Sequence, residues 1–207
     1  MTLVLTVLLI FVLLIASELW WRKRKPHDEF SRKFIHIFVG SMVAFAPFYL
    51  TWLQIFLLSA GFIVGVAASK YFNIFKSIHA VERPTLGEAY FALAVGALAF
   101  ITHEPWIYTI ALLHMSLADG MAAIVGVTWG TSTRYKVFGH PKSVAGSATF
   151  FILSVLLLIG YSQVGAPLST PVIIGLAAVT TAIENCGVRG LDNVFVPVLV
   201  GLVLRAV

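Results

Sequence analysis

With 207 residues, 59% hydrophobic and only 11% charged, and a mean hydropathy of +0.96, the chain excludes a soluble globular domain. Its net charge of +5 does not point to nucleic acid, because in so apolar a sequence basic residues are read by their loop positions. The lone cysteine, Cys186, rules out an internal disulfide.

Only helices or closed barrels satisfy their backbone inside a bilayer, and long apolar runs select the helix. The expectation is an all-α polytopic bundle, residues 1–207 forming one integral membrane domain of about eight spans. These are Thr2 to Trp21, Phe34 to Leu50, Trp52 to Ala68, Leu86 to Ile101, Trp106 to Val127, Ser147 to Gln163, Thr170 to Ile183 and Val194 to Leu204, the fourth, seventh and eighth being short. The first run lacks a basic stretch before it and is followed by Arg22-Lys23-Arg24-Lys25, so it reads as a retained anchor. Trp20, Trp21, Tyr49, Trp52, Trp106 and Tyr161 fall at span ends, where aromatic side chains prefer the interface.

Lys and Arg place the loops. Six lie in 22–33, three in 69–85, three in 128–146 and one in 184–193, which alternation puts on one side. By the positive-inside rule that side is the cytoplasm and both termini lie outside. Most acids crowd the same face, with Glu104 as the external exception.

In chain order, the first polar cluster is Ser31-Arg32-Lys33-Phe34-Ile35-His36, where His36 lies one helical turn from Arg32 and Lys33 and the three can converge on one anion. A positive-inside anchor is the plainer reading. Next, Glu82-Arg83-Pro84-Thr85-Leu86-Gly87-Glu88 opens span four; Pro84 starts the helix and Glu88 complements its dipole. Within span five, Asp119 costs roughly 2.5 to 3.5 kcal/mol to bury in a bilayer and is by default a functional residue. Ala122, Ala123, Gly126 and Gly130 follow it as a small-residue stripe that admits another backbone or a ligand. Beyond it come Lys142, Ser143 and Gly146. An acid for Mg²⁺, glycine backbone and a lysine for phosphate suit a kinase or a nucleotidyltransferase, although no P-loop occurs. The start of a CDP-alcohol phosphotransferase motif at Asp119-Gly120-Met121-Ala122-Ala123 is not continued by the arginine and aspartates it requires. The last cluster, Glu184 to Asn193, is a polar turn suited to hard oxygen ligation, or a plain turn with Asp192 as helix N-cap.

Together, Arg32, Lys33 and His36 as R-K-x-x-H, Asp119, Ala122, Gly126 and Gly130 as D-x-x-A-x-x-x-G-x-x-x-G, Lys142, Ser143 and Gly146 as K-S-x-x-G, and Glu184, Asp192, Asn193 and Pro197 form an ordered set. In these motifs the chain resembles, from about Ser31 to Pro197, the CTP-dependent lipid kinases that include dolichol kinase, phytol kinase and yeast-type diacylglycerol kinase. The Asp119-to-Lys142 half also resembles part of the phosphatidate cytidylyltransferase pattern. The family resemblance implies transfer of the terminal phosphoryl of CTP to a polyprenol, a phytol-like alcohol or diacylglycerol at the cytoplasmic face of the cell membrane. Asp119, Lys142 and His36 are then catalytic, while Arg32, Lys33, Gly126, Gly130, Ser143, Gly146 and Asn193 bind nucleotide or substrate. Asp119, Glu184 and Asp192 hold Mg²⁺. The implied partners are the lipid alcohol, CTP and membrane lipids, with no nucleic acid. One departure stands out: the family carries an acid where this chain has Ala145. A cytidylyltransferase, or a non-catalytic lipid-binding or transport relative, is the competing reading.

Overall fold

The computed structural model describes residues 1–24, 28–72 and 86–207. Helix α1 (Thr2–Arg24) packs on α2 (Asp28–Ala44), which ends in a short 3₁₀ turn at Ala46–Phe48. The chain then reverses into α3 (Trp52–Phe72). Next come α4 (Gly87–Ile101) and α5 (Pro105–Leu113), followed by a π-helical turn at His114–Ala118 and then α6 (Asp119–Thr128). A two-stranded hairpin, β1 (Arg134–Val137) and β2 (His140–Ser143), leads into α7 (Val144–Val164), α8 (Thr170–Cys186) and α9 (Asp192–Ala206). A described helix lies over each of the eight expected spans. Four stretches are long and apolar enough to cross a bilayer: Thr2–Trp20, Trp52–Ser69, Pro105–Thr128 and Val144–Val164.

The bundle is apolar outside as well as inside, as a lipid-facing protein must be. On α7, Ile152, Leu156 and Ile159 are exposed, whereas Phe150, Ser154, Leu158 and Tyr161 are buried. Polar side chains are turned inward, where a neighbouring helix can meet them. Ser59 on α3 donates to the Ala92 carbonyl of α4 at 2.7 Å, and Thr109 on α5 donates to the Ala44 carbonyl of α2 at 2.9 Å. Small residues set the crossing distances. A Cβ on Gly96 would lie 2.6 Å from Ser59 Oγ, so α3 and α4 approach through that glycine.

The end of the bundle holding the 44–52, 101–105 and 164–170 connections is sealed by aromatic contacts. Phe48 meets Trp106 at 4.8 Å between ring centroids, and Trp52 meets Tyr108 at 5.8 Å. Glu104, the acid expected outside, caps α5: its Oε2 accepts from the backbone N–H of Trp106 at 2.7 Å and of Ile107 at 3.2 Å. The chemistry sits at the other end.

The hairpin lies within the 128–146 loop expected between two helical spans. Two residues, Phe138 and Gly139, connect the strands with φ of 48° and 80°, the left-handed pair that a tight type I′ turn requires. Tyr135 is thereby paired directly with Lys142.

Candidate active site

Two near-contacts of backbone fix where α2 meets the helix carrying Asp119. A Cβ on Gly40 would overlap Ser116 in the π turn, and one on Gly120 would lie 2.9 Å from Ile37 Cδ1. No larger residue fits at either crossing, so α2 lies tightly against the start of α6. That places Lys33 and His36, three residues apart on one face, over Asp119. Lys33 Nζ donates to Asp119 Oδ2 at 2.5 Å, both side chains being 8% exposed. His36 Nε2 donates to the Met115 carbonyl at 3.1 Å and lies 3.9 Å from the same carboxylate oxygen. The partner to this bond is supplied by the π turn, in which the Asp119 N–H reaches back to the His114 carbonyl.

Glu184 and Asp192 arrive from the opposite side. The turn 187–191 reverses the chain through Arg189 and Gly190, with φ of 56° and 90°. It is tight enough that a Cβ on Gly187 would lie 2.6 Å from Asp192 Cβ. Asp192 is the first residue of α9, not its N-cap as one sequence reading had it; the cap is Leu191, without a side-chain bond. The Asp192 carboxylate therefore joins Asp119 and Glu184, with one oxygen from each lying within 4.8 Å of the others.

Lys142 on β2 reaches this cluster from the hairpin, donating to Glu184 Oε1 at 2.5 Å and to the Glu184 carbonyl at 2.7 Å. Burial works against its charge, but the Glu184 carboxylate outweighs this and raises the Lys142 pKa above the ordinary lysine value. Its cross-strand neighbour Tyr135 donates to Asn185 Oδ1 at 2.5 Å, and Ser147 donates to the same oxygen at 2.8 Å. Tyr135, Ser147 and Asn185 thus clamp the hairpin to α7 and α8. The sequence analysis gave none of the three this role, and their signal was a tyrosine three residues before the Phe138-Gly139 turn.

The glycines have a packing role. A Cβ on Gly126 would sit 2.9 Å from Ser143 Oγ, one on Gly130 2.6 Å from Ser143 Cβ, and one on Gly146 2.9 Å from the Ala122 carbonyl. The stripe after Asp119 admits the α7 backbone, the first of the two occupants the sequence allowed. Ser143 caps α7, its Oγ accepting from the Gly146 N–H at 3.1 Å. Asn193 fastens α9 to α4, donating to the Gly87 carbonyl at 3.0 Å, and the Leu86 N–H bonds the Arg189 carbonyl at 3.3 Å. The Arg32 side chain and Glu82, Arg83, Pro84 and Thr85 lie outside the described residues.

Five expected site residues on four chain segments therefore converge: Lys33, Asp119, Lys142, Glu184 and Asp192. Three carboxylates against two ammonium groups leave one negative charge, and the ligand atoms are all hard oxygen donors. Such a set fits a divalent cation bound directly and through water, with the lysines beside it to meet phosphate. His36 stands at the edge of the set.

No family model matches the chain, and no solved structure matches it. It is 32% identical over 196 residues to a phytol kinase of Synechocystis sp. (strain ATCC 27184 / PCC 6803 / Kazusa), an alignment spanning 88% of this chain and 81% of that protein. Together with helices long and apolar enough to cross a membrane, that relative makes this an integral membrane lipid kinase. The chain belongs to the CTP-dependent lipid kinase family.

Proposed function

We propose that the protein transfers the γ-phosphoryl group of CTP to a phytol-like lipid alcohol at the cytoplasmic face of the membrane. The observation that carries this reading is the meeting of Asp119, Glu184 and Asp192 within 4.8 Å beside Lys33 and Lys142. Phosphoryl transfer asks mainly for positioning and neutralisation of charge. The three carboxylates would hold Mg²⁺, which supplies charge neutralisation at the phosphates when bound. Lys142 and Lys33 exchange a carboxylate partner for phosphate oxygens. The alcohol oxygen attacks the γ-phosphorus, the bond from that phosphorus to the β,γ-bridging oxygen breaks, and CDP leaves. His36, at the edge of the cluster, takes the hydroxyl proton. The cytoplasmic placement follows from the basic loops, thirteen of the fourteen Lys and Arg residues lying on the site's side of the predicted topology.

The experiment is incubation of the purified protein in lipid with Mg²⁺, a panel of lipid alcohols, and CTP labelled either in the γ-phosphate or in the cytosine. Label in the lipid from the γ-phosphate alone is the expected result. Transfer of the cytosine label to a phosphorylated lipid would instead make the protein a cytidylyltransferase.

A further inference from the structure

Beside the acid cluster lies a second feature that the phosphoryl chemistry does not use. A cavity of about 470 Å³ runs between α1, α2, α3 and α4, walled by apolar residues such as Ile10, Val39 and Phe91. At one end its lining includes His36 and Glu88, so the cavity and the acid cluster share the imidazole that lies 3.9 Å from Asp119.

Two exposed glycines lie on the α3 side of this cavity. Gly61 and Gly65 both line it, one helical turn apart, and a Cβ built on either would meet nothing within 4 Å. They differ from Gly40, Gly96, Gly120 and Gly146, where the missing side chain is the place a neighbouring helix occupies. A mid-helix glycine weakens a helix relative to alanine in water. What the two positions keep is width.

From this we infer that the cavity is the binding groove for the hydrocarbon chain of the acceptor alcohol, with the hydroxyl at His36 and the tail running along Gly61 and Gly65. This rests on the kinase reading and names the acceptor's subsite.

The test compares wild type with Gly61→Leu, Gly65→Leu and the gentler Gly65→Ala, using phytol and a short water-soluble prenyl alcohol as acceptors. For phytol, kcat/KM falls about ten-fold or more in the leucine variants and less in the alanine variant, as expected when methylenes are lost from an apolar pocket. The same ratio for the short alcohol changes less than about two-fold, and KM for CTP is unchanged. A phytol analogue with a diazirine in its chain labels α2 and α3 peptides of wild type, and Gly65→Leu abolishes this. Active variants with unaltered phytol kinetics and unaltered labelling would overturn the groove while leaving the kinase reading intact. Phytol-competed labelling of the groove without phosphoryl transfer from any nucleotide would support the groove and overturn the kinase reading.

Discussion

Asp119→Asn is the perturbation that probes the site most directly, because it removes one charge while keeping the size of the side chain. Lys33 and Asp119 are each 8% exposed at the side chain and 2.5 Å apart. Breaking one partner of a buried pair costs about 3–5 kcal/mol, and here Asp192 still offsets part of the Lys33 charge. The asparagine carbonyl still accepts a bond from Lys33, so the lower figure applies, about 3 kcal/mol. For a chain of this size that lowers the apparent melting temperature by roughly 6–12 °C. Lys33→Met in the same background removes that ammonium and restores part of the loss, giving a coupling of about 1–3 kcal/mol in the double-mutant cycle. Activity behaves differently: neither single variant nor the double variant transfers phosphate at more than about a hundredth of the wild-type rate, since a transition-state charge contact is gone in each. Thermal unfolding in detergent and γ-labelled CTP transfer measure the two effects separately. Strictly additive melting shifts would refute the buried pair. Unchanged turnover in Asp119→Asn, with purified active protein, would refute the role of that carboxylate.

Further outcomes are expected of the same site. Glu184→Gln keeps a polar contact to Lys142 but removes a ligand charge, so the Mg²⁺ concentration for half-maximal activity rises about ten-fold or more, read from a metal titration. Lys142→Met lowers kcat/KM for CTP about a hundred-fold, and Lys142→Arg does not restore it, because a planar fork replaces a point charge held between Glu184 Oε1 and its carbonyl. Gly130→Ala forces a methyl group against Ser143, costing about 2 kcal/mol and lowering the apparent melting temperature by roughly 4–8 °C. Ala145→Glu puts an acid into the first turn of α7, where the helix dipole favours it. Turnover or CTP affinity then rises, and steady-state kinetics showing neither would make that position peripheral.

The spans and the cluster were legible in the sequence because they depend on local properties. Apolar run length alone dictates a helix at Trp52–Phe72, and a carboxylate at 119 is conspicuous in such a run. That Lys33, Asp119, Lys142, Glu184 and Asp192 would converge could be anticipated only from their common face and from the family motifs. Their pairing could not, since Lys33 to Asp119 spans 86 positions and depends on close crossings at Gly40 and Gly120. The hairpin escaped because Phe138-Gly139 is a weak turn signal beside Asn-Gly or Asp-Gly, and four-residue strands offer too few alternations to read. The small-residue stripe was ambiguous for another reason. A glycine says that something comes close, and only the fold says whether it is Ser143, as at Gly126, or open space, as at Gly65.

The π turn at His114–Ala118 bears on how this enzyme tolerates change. Each residue of an α-helix advances the side chains by about 100°, so one residue inserted or removed there would swing everything after it by that angle. Upstream, Thr109 is held by α2; downstream, Gly126 and Gly130 are held by Ser143 at the head of α7. Between these two anchors the π turn resets the phase of the helix, and Asp119 on its far side faces Lys33. The turn acts as a phase corrector, and its length is therefore expected to resist insertion or deletion more stubbornly than the identity of any single residue within it.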